Sequence, residues 1–172
     1  MRLPIHVVLL GLVANAFGLG NSYLSAQRAG IARTPIFRYI DVRPYGVLQL
    51  GKAFDSTAIL GVALRPGVFR LDRKDGQPVQ LGDTRAILVA RLPGGPICAM
   101  HFLYVPNKTF EEAVADYRSD FGPPRLERGD TARRLVQSAS WRDAQTRLSV
   151  RQTSSQGATA ISAVLEPLSI GV

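Results

Sequence analysis

Few residues in this chain are equipped for acid–base, nucleophilic or metal chemistry. The sequence has two histidines, His6 and His101, and one cysteine, Cys98. His6 falls in an apolar leader, so His101 is the histidine of the folded part. Cys98 and His101 are three residues apart, which on a strand puts them on opposite faces, and ligands on opposite faces do not converge on a metal. Among apolar neighbours His101 reads as a structural histidine, with a general base or metal ligand as the competing reading. Cys98 has no second cysteine to pair with and reads as a small buried hydrophobe, an intermolecular disulfide being the alternative. The G-x-S-x-G, S-x-x-K, H-E-x-x-H and P-loop signatures of common hydrolases, metalloproteases and nucleotide binders are missing. No catalytic, metal-binding or cofactor-binding residue is assigned, and no cofactor is expected.

Carboxylates are the remaining route to catalysis, because glycan-cleaving enzymes need little more than two of them. Asp41, Asp55, Asp72, Asp75, Asp83 and Asp130 fall in or near expected turns, where a short carboxylate bonds its own backbone. Glu111, Glu112, Asp116 and Asp120 belong to one helix, and Glu166 ends the last strand. Such placements account for most of the acids, and a carboxylate-dependent envelope hydrolase stands third among the functional readings.

The formal charge is +8, from 21 basic against 13 acidic residues, and only Lys52, Lys74 and Lys108 among the bases are lysines. The arginines are scattered. Five of them, Arg133, Arg134, Arg142, Arg147 and Arg151, fall on adjacent strands near the C-terminus and form a basic edge. Strand alternation turns Arg147 and Arg151 outward, toward anionic lipid headgroups or an acidic protein surface, with a plainly solvated sheet face as the other reading. Aromatics are not interleaved with them, so no nucleic-acid platform is expected. Asn107-Lys108-Thr109 matches a glycosylation acceptor, but Thr109 is needed elsewhere.

It is needed as a helix cap. Thr109 and Glu112 have capping-box spacing, and Phe110, Ala113, Val114, Tyr117 and Phe121 share one helical face. Gly122 and the two prolines after it end the helix, giving one amphipathic helix over about 109–121. Strands are expected over Ile36–Val42, Tyr45–Leu50, Val68–Leu71 and Val79–Leu81, while Ala53–Leu64 is ambiguous between strand and short helix. Thr84–Leu92 and Ile97–Val105 flank the breakers Pro93-Gly94-Gly95-Pro96 as a hairpin. The second of these strands is apolar on both faces, which predicts a central strand covered on both sides. After the helix, alternation around Leu135–Trp141, Arg147–Arg151 and Ala160–Leu165 predicts a three-strand antiparallel meander, followed by an irregular tail from Pro167. The fold class is α+β, a twisted antiparallel sheet carrying one packed helix.

The N-terminus bears on location. Arg2 precedes an uncharged apolar run, and Ala14-Asn15-Ala16 offers a signal-peptidase site, so residues 1–20 read as an export signal cleaved after Ala16. Alternatively, the uncharged stretch from Leu3 to Gly20 stays as a transmembrane anchor helix. Residues 21–34 read as a linker and 35–172 as one domain, long enough for its own core. Either way the domain lies outside the cytoplasm. The functional reading is an exported periplasmic accessory or binding protein of the envelope, partnered by an envelope protein or an anionic membrane surface. The alternative is a structural subunit of a membrane complex held by an uncleaved N-terminal helix.

Overall fold

The computed structural model describes residues 29–42, 46–53, 59–91, 95–131, 134–155 and 158–168. The apolar leader lies outside them, as does Arg133. Among the described residues no helix is long and apolar enough to cross a membrane.

A small antiparallel hairpin, β1 (Tyr39–Asp41) with β2 (Val47–Gln49), precedes the main sheet. Four strands then follow as a meander: β3 (Ile59–Arg65), β4 (Val68–Arg73), β5 (Thr84–Arg91) and β6 (Ile97–Tyr104). Helix α1 (Phe110–Phe121) carries the chain across the sheet to β7 (Arg125–Thr131). From there β8 (Arg134–Arg142), β9 (Thr146–Ser155) and β10 (Ala158–Pro167) return by antiparallel hairpins. The result is one eight-stranded sheet in the order β3-β4-β5-β6-β10-β9-β8-β7, closed in the middle by antiparallel pairing of β6 with β10. The α+β reading, an antiparallel sheet with one helix, is what the described residues show.

The helix forms where its local signals agree. The Thr109 hydroxyl accepts from the Glu112 amide at 3.2 Å while the Glu112 carboxylate accepts from the Thr109 amide at 2.9 Å, satisfying two amide donors at the helix start. Lys108, just before the cap, is clamped between Asp83 at 2.8 Å and Asp116 at 2.9 Å, which ties the helix start to the β5 turn. At the other end Gly122 has φ +83°, a backbone conformation that other residues rarely adopt, so the stop requires glycine.

One face of the sheet is packed. Phe110, Ala113 and Phe121 from α1, and Ile40 and Leu48 from the small hairpin, join one core with Leu71, Ile87, Val89, Met100, Phe102, Trp141, Leu148, Val150 and Leu165. Trp141 is fully buried and its indole N–H donates to the Gly122 carbonyl at 2.8 Å, so the ring keeps its apolar contacts without stranding its polar atom. Tyr117 stacks on Phe37 and Phe121 and meets Trp141 edge-on, and its hydroxyl is 2.9 Å from that of Tyr104. Burial pushes both phenols up, away from ionisation. Full burial of such side chains contributes roughly 1.5–3 kcal/mol each, which fixes this face toward the helix.

Several expectations are corrected. The C-terminal meander has four strands, because Arg125–Thr131 is a strand although its sequence, RLERGDT, carries charges where a buried strand would carry hydrophobes. Val79–Leu81 is no strand: Pro78 makes a single bridge to Asp72 and the chain then turns. The ambiguous Ala53–Leu64 resolves at its far end as β3, while 54–58 lie outside the described residues. β6 is central, but among the described residues only the face bearing Met100, Phe102 and Tyr104 is packed, and His101 and Leu103 are half-buried on the other. Cys98 is exposed, its thiol donating to the Ala90 carbonyl at 3.2 Å, because the β5–β6 register shifts between Ala90 and Arg91 and turns Ile97, not Cys98, into the core. Residues 29–34 fall in the stretch read as a linker, and they are bonded to the fold: Gly30 to Pro123, Arg33 to Phe121, and Ala32 to Arg142.

Candidate functional site

The second face of the sheet carries a continuous row of residues, one per strand. Val62 is opposite Arg70, Arg70 opposite Leu88, and Leu88 opposite His101; His101 is opposite Val164, Val164 opposite Ser149, Ser149 opposite Ser140, and Ser140 opposite Arg125. The row changes character along its length, from apolar on β5 and β10 to serine and arginine on β7–β9. Two residues along each strand, the neighbouring positions on this polar half are Arg142 and Arg147 on one side, and Ser138 and Arg151 on the other.

These residues line a groove of about 400 Å³ in which Arg125, Arg142, Arg147 and Arg151 surround Ser138, Ser140 and Ser149. One end is built by Gly30 and Ile31, which run beside β8 in parallel and extend the sheet past the start of β7. Gly30 is required there: its φ is +83° and a Cβ would meet that of Arg125 at 2.7 Å. Ser149 is only 4% exposed, so the arginines rise around a shielded floor.

The charges in the groove are unbalanced. Arg142 and Arg147 face each other directly across β8 and β9, an arrangement that costs stability because like charges oppose at about 5 Å between backbones. Glu166 lies opposite Arg147 on β10 but approaches only to 3.7 Å, and Glu127 meets Arg125 at 3.0 Å between two largely exposed side chains. Arg142 and Arg151 have no acidic partner among the described residues. Arginine presents a planar fork of donors, so this floor of serine hydroxyls beneath guanidinium groups suits the oxygens of a phosphate or carboxylate.

Of the five arginines expected as a basic edge, the groove brings together Arg142, Arg147 and Arg151. Arg134 is placed opposite Thr131 at the far end of β8, eight residues and roughly 27 Å from Arg142. Arg125 belongs to the site but was not expected there, since its strand was not read as one; its alternation with Glu127 at period two is the signal that could have found it.

His101 lies on the same face, two strands from the near end of the groove on β9. Burial lowers its pKa first, and the cations Arg151 and Arg65 lower it further against the opposing pull of Glu166. The balance favours the neutral imidazole over the charged one. Asp143 supports the hairpin that aligns Arg142 with Arg147: its carboxylate accepts from the amides of Gln145 and Thr146 at 2.7 Å and from that of Ile36 at 2.7 Å. Burial pushes this carboxyl up, but the three amides and Arg38 outweigh it and hold it below its usual range.

Four other acids are engaged elsewhere. Asp72 is buried in a two-pronged pair with Arg70, at 2.8 and 2.7 Å, and Asp75 pairs with Arg73. Asp83 and Asp116 come together, but the ammonium of Lys108 lies between them where a scissile oxygen would have to enter. Among the described residues no group of three or more histidine, cysteine or acidic side chains is placed to hold a metal ion. Comparison of the chain with protein-family models, with curated proteins and with solved structures finds no match.

Proposed function

We propose that this is an exported envelope accessory protein that binds an anionic membrane surface through the arginine groove. The observation that carries the reading is the direct opposition of Arg142 and Arg147, flanked by Arg125 and Arg151, around one groove on the second face of the sheet. Four guanidinium groups gathered against weakly engaged carboxylates favour a bound anion. At an anionic bilayer each such arginine contributes about 1 kcal/mol.

A lipid surface is preferred over an acidic protein because of where the chain enters. Ala29 and Gly30 line the groove itself, and the apolar stretch ends at Gly20. Ala29 lies nine residues on from Gly20, a reach of at most about 32 Å when fully extended. If the leader remains in the bilayer as an anchor, the groove is kept within that distance of the headgroups. In the alternative reading, a membrane-held subunit, the groove would work from that tethered position.

The test is sedimentation of the chain beginning after Ala16 with vesicles of phosphatidylglycerol or of phosphatidylcholine. Binding to the anionic vesicles alone, weakening as salt is raised, is the expected outcome. Equal binding to both, or to neither, contradicts the lipid reading; in the latter case an acidic envelope protein becomes the partner to seek.

A further inference from the structure

The two outer strands of the sheet are built very differently. β7 carries Arg125, Glu127 and Arg128 in exposed positions, with Arg125 and Glu127 paired at 3.0 Å. Charged side chains on an edge strand deter another chain from adding to it. β3, Ile59-Leu60-Gly61-Val62-Ala63-Leu64-Arg65, has no charge before its last residue and pairs only with β4 among the described residues. Val62 and Leu64 are 40% and 53% exposed. Its register against β4 is regular from Ile59 to Ala63 and slips only beyond, between Ala63 and Arg65.

We propose that β3 is the docking strand for a second copy of this chain, the two β3 strands pairing antiparallel about a two-fold axis at Gly61. The regular run is centred on Gly61, so the symmetric register places Gly61 opposite Gly61, Leu60 opposite Val62 and Ile59 opposite Ala63 of the other copy. Every opposed position is apolar or glycine, and the single charge, Arg65, falls outside the paired run. A strand that is compatible with its own antiparallel copy at every position suits an isologous interface, in which the same patch serves both subunits. The chain's formal charge of +8 does not oppose this contact strongly. The arginine groove on β7–β9 is about 25–35 Å away across the sheet, several screening lengths at physiological salt.

Antiparallel addition keeps both copies the same way up. The helices of the two subunits share one side of a sixteen-stranded sheet, and both arginine grooves open on the other, at its two ends. This interface does not depend on what the grooves bind.

Cross-linking of the full chain in mild detergent tests the register. In a Cys98→Ser background, Gly61→Cys puts two thiols on the axis at a strand-pair separation within disulfide reach, whereas Leu126→Cys marks the opposite edge. The Gly61 variant is expected to run mostly as a disulfide-linked dimer under mild oxidation and the Leu126 variant as a monomer. In sedimentation the unmodified chain is expected at twice its monomer mass, and Val62→Lys, with an unchanged circular dichroism spectrum, at one. A chain that stays at monomer mass at every concentration, or that cross-links as well through Leu126 as through Gly61, overturns the proposal.

Discussion

At the scale of single residues, Arg142 is where stability and binding pull apart. Facing Arg147 across the ladder, it raises the energy of the empty fold; exchanged for a glutamate, it would face a cation instead. Arg142→Glu is therefore expected to stabilise the protein by about 0.5–1 kcal/mol at low salt, read as a small rise in Tm that fades as salt is added. A fall in Tm would mean that the two guanidinium groups avoid each other. His101 gives the pH dependence at this scale. Its lowered pKa means that the unfolded chain binds the proton more readily, so stability is fully present above the ordinary value of 6.5 and declines as pH falls below it. Chemical denaturation at stepwise lower pH should show this decline, and His101→Gln should flatten it; an unchanged slope would remove His101 as its source. The arginines of the groove were legible where alternation was legible, since Leu148 and Val150 inside place Arg147 and Arg151 outside. The exposure of Cys98 is not legible, because strict alternation does not show the register shift beside it that turns Ile97 inward instead.

At the scale of elements, α1 was legible from end to end, because its cap, its apolar stripe and its stop are all encoded within sixteen residues, Thr109 to Pro124. β7 was not. An edge strand with one partner buries little, so its pattern is set by solvent, and the pairing of Arg125 with Ser140 depends on chain fifteen residues away. The coverage of β6 failed for a related reason: being apolar on both faces distinguishes a central strand, but not whether a layer packs on each side. The helix face carries its own prediction. Tyr117 lies within the aromatic cluster while Arg118 is exposed on the next position around. Tyr117→Asp is expected to cost about 3–5 kcal/mol, by removing the ring and placing a carboxylate against the core, and Arg118→Asp less than about 1 kcal/mol. Equal midpoints in denaturant would contradict the orientation of the helix.

At the scale of the whole molecule, the sheet is a partition. Its packed face uses α1 and the small hairpin to make a core, and the β7–β9 half of its other face carries the arginines, with the entering chain at Ala29 laid along them. Net charge alone would attract the protein to any anionic surface, without regard to where the arginines lie. The central claim is that one face does the binding, and this separates from net charge in a single comparison. Arg142→Glu and Arg118→Glu change the total charge equally, one in the groove and the other on the opposite side of the molecule. Binding of each to phosphatidylglycerol vesicles is the measurement to make. The expected result is a loss of about tenfold or more for Arg142→Glu, two charge units at about 1 kcal/mol each, with Arg118→Glu close to the unsubstituted chain. Equal losses from the two would show that the protein is merely basic, and that the groove is not its binding site.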